Sequence, residues 1–300
     1  MQSAGAASRS HAPSLAVLLS LVSITCGASL AKGLFPLVGP VGTTTLRLCL
    51  AAAILFIALR SWRFSPGAAG WRAALHYGLV MAGMNLLFYL AIERIPLGIA
   101  IALEFTGPLT VAVLHSRHRR DLLWVACAVV GILMLIPRPS PGHAVALAGV
   151  AFALGAGVLW GAYIIVGQRA GAVMGTQAAA YGLMIAAIII LPIGLLLEPR
   201  LHPAQWPALP MLPLFGSALA VALLSSALPY TLEMYGLRHI PARSFGILMS
   251  GEPAIGALMG LLLLGERLNL TQWLGIAAVI AASLGTTLGD RRPEQPQPLT

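Results

Sequence analysis

Five ionisable residues, Lys32, Arg47, Glu104, Glu233 and Glu252, interrupt runs otherwise fit for hydrocarbon. A Lys, Arg or Asp in the middle of a membrane helix costs ~2.5–3.5 kcal/mol even on the lenient insertion scale, so each one kept there needs a partner or a purpose. Glu104 stands four residues before Pro108 in the stretch "GIAIALEFTGPLTVAVL". A proline ring removes the hydrogen bond to the carbonyl four residues earlier, here that of Glu104 itself. Acid and freed carbonyl then lie side by side, and a membrane tolerates such a pair only where it lines protein or a cavity. A carboxyl caught between desolvation and a nearby cation can exchange a proton for a cationic substrate group. The alternative is a glutamate locked to Arg47 or Lys32 for folding.

The other charges leave similar choices. Lys32, the one lysine of the chain, either snorkels from the end of the first helix to the interface or holds a substrate carboxylate, with Gly27, Ala28 and Gly33 leaving room for close approach. Arg47, six residues into the second helix, reads as an interface anchor or as the fixed half of a structural ion pair, because a guanidinium keeps its proton. Glu252-Pro253 repeats the acid-and-proline theme, and Glu233 follows Pro229 by four. Both are proton-coupling candidates beside Glu104, or partners of Arg238 and Arg243. Asn85 and Tyr89 share one helical face at a spacing of four, and Tyr163 and Tyr230 stand alone in apolar runs. Together with Lys32 and Glu104 these form the expected substrate-binding set, suited to a small zwitterion. Asn85 alone would equally serve as an interhelical hydrogen bond. Pro108 and Pro253 are the expected helix kinks.

Those residues need elements to hold them, and the composition says which kind. Charged residues make up 9% of 300 positions and apolar ones 58%, against about 25% and ~45–50% in soluble domains. Spans of ~20 residues each cross a ~30 Å hydrocarbon layer. Apolar runs bounded by Pro, Gly or charge mark ten of them, at about 14–35, 41–59, 72–92, 96–114, 122–137, 145–166, 176–197, 210–236, 241–264 and 271–288. The stretch "GASLAK" also resembles a signal-peptide cleavage site, but its removal would leave Lys32 outside the fold and nine spans.

The net charge of +9 does not read as nucleic-acid binding, because the arginines fall in short gaps between apolar runs and do not cluster on one domain. With a cytoplasmic N-terminus, twelve arginines lie in inward loops and tails and four in outward loops. The positive-inside bias therefore places both termini in the cytoplasm. The tails, 1–13 and 289–300, are short and polar. Cys26, Cys49 and Cys127 sit in apolar runs without metal spacing, and the histidines form no ligand pattern, so neither metal nor cofactor is expected. No nucleophile motif GxSxG, zinc motif HExxH or nucleotide loop GxxxxGK[ST] occurs, which argues against an enzyme or an ATP-driven pump.

Adding 145 brings the second half into register with the first. Ile95 and Pro96 fall on Ile240 and Pro241, Leu103 on Leu248, Pro108 on Pro253, Ala112 on Ala257, Asp121 on Glu266 and Leu123 on Leu268. Five spans per copy force the second copy to enter from the opposite side. The expected fold is thus an all-α membrane protein of ten transmembrane helices, arranged as two inverted five-helix repeats over 14–137 and 145–288. Secondary transporters commonly have this architecture, with the site near the midplane.

The stretch "EPAIGALMGLLLLGERLNLTQWLGIAAVIAASLG", Glu252 to Gly285, resembles the repeat ending of the drug/metabolite transporter superfamily, in its EamA-domain branch. In the first half the family's Gly-Glu pair is replaced by Arg120-Asp121. The stretches "GASLAKGLFPLVGP", "MNLLFYL", "PLGIAIALEFTGPL", "SSALPYTLEM" and "SFGILMSGEPA" are similar to the branch's bacterial exporters of small amino acids. The resemblance implies a carrier in the bacterial inner membrane that moves threonine, homoserine or similar neutral amino acids outward, with protons as the counter-substrate. A drug or other metabolite exporter of the same fold is the alternative it leaves open.

Overall fold

A computed structural model of the chain describes residues 12–115, 121–136, 143–201, 210–239 and 242–289. The tails 1–11 and 290–300, and with them most of the two expected polar ends, lie outside the described residues, as do His118, Arg120, Ile240 and Pro241. Twelve α-helices follow one another among the described residues: α1 Ala12–Ala58, α2 Gly67–Arg94, α3 Leu97–Glu104, α4 Thr106–His115, α5 Asp121–Leu135, α6 His143–Met174, α7 Gln177–Leu197, α8 Met211–Ala222, α9 Leu228–His239, α10 Ala242–Met249, α11 Glu252–Leu264 and α12 Leu270–Gly289. A π-helical turn, Leu223–Ala227, joins α8 to α9.

Five of these helical stretches are long and apolar enough to cross a membrane, namely Ala12–Ala58, Gly67–Arg94, Ala146–Met174, Gln177–Leu197 and Phe245–Leu264. Shorter apolar helices cover Leu97–Val111, Leu123–Leu135, Met211–Ala227 and Leu270–Gly285. Their outer surfaces are leucine-rich, with Leu212 85% exposed, a lipid-facing distribution that no water-soluble surface would carry.

α1 is two helices in one. Gly39, between Pro36 and Pro40, takes φ 65° and ψ 171°, a conformation open to glycine alone, and so parts the stretches expected at 14–35 and 41–59. The carboxylate of Glu198 fills the space where a Cβ on Gly39 would go, and Arg200 Nη1 donates to Phe35 O at 3.0 Å. The run expected at 96–114 divides at Phe105, and the one at 241–264 divides at Ser250-Gly251. Neither Pro108 nor Pro253 therefore bends a continuous helix as anticipated. Each opens the second of two helices, in the first turn, where a missing N–H leaves no intrahelical bond unmade. α3 and α10 begin at Leu97 and Ala242 and end at Glu104 and Met249, both pairs 145 residues apart.

Packing depends on small residues. α2 runs along α6 and α7, α5 along α12, and α3 against α11 and α6, while α1 passes through the middle against α7, α8, α9 and α11. The carbonyl of Glu104, to which Pro108 has no N–H to give, faces Gly157 of α6, where a Cβ would stand 2.7 Å from it. Gly107 meets the carbonyl of Gly157 so closely that no Cβ fits between them. The stretch from Gly155 to Tyr163 is thus a backbone-to-backbone crossing.

Gly107→Ala is expected to destabilise the protein by ~1–3 kcal/mol through this clash. Gly216→Ala on α8, whose Cβ meets nothing within 4 Å, is expected to be neutral or mildly stabilising. Thermal unfolding of the two purified variants in detergent checks the contrast.

Candidate functional site

Pro229 has no N–H to give the carbonyl of Ser225, four residues earlier, and the chain answers with the π-helical turn at Leu223–Ala227. The loosened carbonyls find side chains instead. Ser23 Oγ donates to Leu224 O at 2.7 Å, and Arg47 Nη1 reaches Ser225 O at 3.5 Å and Ser225 Oγ at 3.0 Å. Gly27 lets α1 approach this turn, since a Cβ there would lie 2.8 Å from the Ser225 backbone nitrogen. Ser225 Oγ in turn donates to Val221 O at 2.6 Å, which leaves its lone pairs for the guanidinium.

Arg47 is only 7% exposed. It is carried inward on the α1 face that also buries Thr43, Thr44, Leu48 and Ala51. Its guanidinium carbon lies 5.1 Å from the centroid of the Tyr89 ring, a cation–π contact that Phe35 and Phe88 flank with ring centroids 6.0 Å from Tyr89. Among the described residues no carboxylate is ion-paired with it. The structural ion pair expected of Arg47 is replaced by a hydroxyl, a carbonyl and an aromatic face.

Around this guanidinium is a cavity of about 200 Å³. α1 contributes Thr25, Ala28 and Arg47, α2 Asn85 and Tyr89, α3 Ile101 and Glu104, and α6 Trp160 and Tyr163. Ser225, Glu233, Met249 and Glu252, with Ile24, Met84 and Phe88, complete the wall. A second hollow of about 170 Å³ shares Arg47, Asn85, Tyr163, Ser225 and Glu233 and extends past Tyr77, Leu55 and Ala179. Glu104 interacts electrostatically with both Arg47 and Glu252, and Glu252 with Glu233. Ser20, on α1, donates its hydroxyl to Val17 O at 2.7 Å.

Three buried side-chain polar atoms among the described residues lack a hydrogen-bond partner: Arg47 Nε, Tyr89 Oη and Glu252 Oε2. All three belong to residues lining the first cavity. A buried donor or acceptor left without a partner costs ~1–3 kcal/mol, more when charged, so three in one place mark a surface shaped for something other than its own packing. The chemistry on offer is one cationic donor, one hydroxyl and one acidic acceptor.

The structure brings together Arg47, Asn85, Tyr89, Glu104, Tyr163, Glu233 and Glu252. Asn85 Nδ2 is bonded to Met81 O at 2.8 Å, and Tyr163 stacks on Tyr77 with centroids 5.0 Å apart. The side chain of Tyr230 lies outside the described residues. Lys32 is not in the wall. One turn beyond Ala28, its Nζ lies 2.6 Å from Glu266 Oε1 and 3.4 Å from Ile95 O. Neither the snorkelling reading nor the cavity reading anticipated this carboxylate, because Glu266 counted only as the repeat mate of Asp121. Sequence reasoning also missed Ser225, whose place four before Pro229 repeats that of Glu104 before Pro108.

Comparison with known proteins bears on what such a cavity holds. The model of the EamA-like transporter family matches residues 147–288. The threonine/homoserine exporter RhtA of Salmonella typhimurium (strain LT2) is 50% identical over 283 residues, 94% of each chain. RhtA of Escherichia coli (strain K12) is 48% identical over 282 residues, 93% of this chain and 92% of the relative. The transporter YwfM of Bacillus subtilis (strain 168) is 30% identical over 234 residues, 74% and 75% of the two chains. A crystal structure 17% identical in sequence superposes with a TM-score of 0.58, over 93% of this chain and 98% of the other, which speaks to fold alone.

Tyr89→Phe removes a hydroxyl with no protein partner and is expected to change stability by less than ~1 kcal/mol, whereas Ser225→Ala removes the shorter of Arg47's two acceptors and is expected to cost ~1–3 kcal/mol. Midpoints of thermal unfolding in one detergent, compared with the parent, separate the two.

Proposed function

Because the chain belongs to the EamA-like transporter family, we propose that it exports threonine, homoserine and related small neutral amino acids across the bacterial inner membrane, as a secondary carrier that takes protons in exchange. The observation that carries this reading is the cavity around Arg47, together with 50% identity across 94% of the chain to a protein named for threonine and homoserine export. A zwitterion needs one fixed cation for its carboxylate and an acid for its ammonium within a few ångströms, and Arg47 with Glu104 and Glu252 supplies both. Tyr89 Oη and the amide of Asn85 are the groups for a side-chain hydroxyl. We assign to Arg47 the carboxylate contact that the sequence alone suggested for Lys32.

Size argues for the same class. At about 200 Å³ the cavity is smaller than the ~300–1,000 Å³ usual for drug-sized ligands, which favours an amino acid over a bulky amphipath.

The carrier reading rests on ten spans. Counting α1 as two across Gly39, and joining α3 to α4, α8 to α9 and α10 to α11, gives five spans in each half. The shared offset of 145 at both ends of α3 and α10 supports two copies of one unit. With five spans each, the copies are inverted, and the arginine distribution puts both termini in the cytoplasm. Discontinuous helices beside the cavity suit an alternating-access cycle, in which proton and amino acid compete for the carboxyls Glu104, Glu233 and Glu252. Each ligand must prefer one orientation of the halves, because equal binding to both shifts nothing.

In proteoliposomes, counterflow of labelled threonine and homoserine is expected for the parent protein. Arg47→Gln is expected to reduce it at least ~tenfold, by loss of a charge-assisted contact. Glu104→Gln is expected to abolish the part driven by an imposed pH gradient. Parent-level flux in Arg47→Gln removes the assigned site, threonine flux indifferent to the pH gradient removes proton exchange, and displacement by a bulky cationic dye but not by homoserine would favour a drug exporter.

A further inference from the structure

We propose that Lys32, Glu266 and the backbone N–H of Leu97 form a releasable latch that closes the periplasmic end of the substrate path. The side to which that end faces rests on the ten-span reading above; the latch itself does not.

The contacts join three elements far apart in sequence. Glu266 Oε1 accepts from Lys32 Nζ at 2.6 Å, across 234 positions, and Glu266 Oε2 accepts from the Leu97 N–H at 2.7 Å, across 169. Leu97 is the first residue of α3, so its N–H has no intrahelical acceptor, and a carboxylate there also meets the positive end of the helix. Of the ion pairs among the described residues, the other two link near neighbours, Glu93 with Arg94 and Glu198 with Arg200. Lys32–Glu266 alone ties the first half of the chain to the second.

Local geometry is built to place this one carboxylate. Gly265 ends α11 with φ 67°, and the Glu266 N–H then folds back to Gly260 O at 3.0 Å. Gly260 also leaves room for the acid, since a Cβ there would sit 2.5 Å from Glu266 Oε2. The two cavity-facing neighbours of the latch are each one helical turn away: Ala28 precedes Lys32 on α1 by four, and Ile101 follows Leu97 on α3 by four. Whatever passes between the cavity and this end must part α1, α3 and the 265–269 connection.

The pair is also one that can open. Its side chains are 23% and 13% exposed, so both charges can regain water when they separate, whereas a wholly buried pair would strand them. An ammonium on a flexible stem suits repeated making and breaking.

The test is a labelling rate. Ala28→Cys in a background with Cys26, Cys49 and Cys127 replaced by Ser reports access to the cavity wall. A membrane-impermeant maleimide is applied to spheroplasts for the periplasmic side and to inverted vesicles for the cytoplasmic side. Periplasmic labelling is expected to rise roughly tenfold in Lys32→Met and in Glu266→Gln, the order set by losing one charge-assisted hydrogen bond. Lys32→Arg is expected to stay near the parent rate. Glu266→Gln keeps an acceptor for the Leu97 N–H, so it decides the matter if Lys32→Met does not fold. Equal periplasmic rates in the parent and Glu266→Gln overturn the latch, and so does a rise confined to inverted vesicles. A parent protein that labels as expected but carries no threonine overturns the export reading and leaves the latch standing.

Discussion

A guanidinium held inside an apolar bundle without a carboxylate against it is the constraint on which the site depends. Arg47 cannot shed its charge, and an ion of that kind taken from water is costly unless its donors are met. The protein meets them with unusual backbone. The π-helical turn frees a carbonyl, Ser225 adds its hydroxyl, and Tyr89 gives a ring face. None of these is an anion. Had a glutamate been packed directly on Arg47, the charge would be neutralised for good and nothing would remain to attract a carboxylate from outside. Glu104, on α3, stands at electrostatic range without an ion pair, which on the proposed function leaves the cation supported yet able to bind.

The same economy explains the prolines. In hydrocarbon every backbone polar group must find a partner, so a proline in a span creates a carbonyl that the fold has to place. Pro108 frees Glu104 O and Pro229 frees Ser225 O, and the two solutions differ. The first carbonyl is buried against Gly157, where the absence of a side chain allows α6 to close over it. The second is turned toward Arg47. Both leave a polar side chain on the residue four before the proline lining the cavity, so at these two places the helix break and the polar lining go together.

That pairing was readable in part. The apolar runs and their breakers mark where helix stops, and Glu104 with Pro108, Asn85 with Tyr89, and Glu252 with Pro253 are all recognisable from spacing along one helix. What spacing cannot supply is which helices cross. Ser225 before Pro229 has the same four-residue signature as Glu104, but which helix the freed carbonyl meets shows only once Gly27 is seen to bring α1 against it. Arg47 reads as an anchor or an ion-pair partner because it lies near the start of a run; that it lines the cavity depends on how the second half of α1, past the break at Gly39, packs among the other helices. Lys32 reads as a ligand group because its partner is 234 positions away, on a connection whose shape depends on the left-handed Gly265. Tyr230 has no described side chain to compare.

The two basic residues in the spans divide the work according to their chemistry. Arginine presents five donors in a fixed plane and is weakly hydrated, so it can remain out of water on neutral acceptors and still offer an edge to a carboxylate. Lysine is a strongly hydrated point charge on a mobile stem, poorly suited to a dry wall but well suited to a contact that must break into water. The structure sorts them that way: Arg47 is 7% exposed and bound to neutral groups, while the Lys32 side chain is 23% exposed and bound to an acid. Exchanging the two would strand an ammonium in the centre and, on the proposed latch, hold Glu266 with a fork that resists release. On the roles proposed for them, each cation's placement follows from the partner it must meet: a carboxylate from outside at Arg47, water at Lys32.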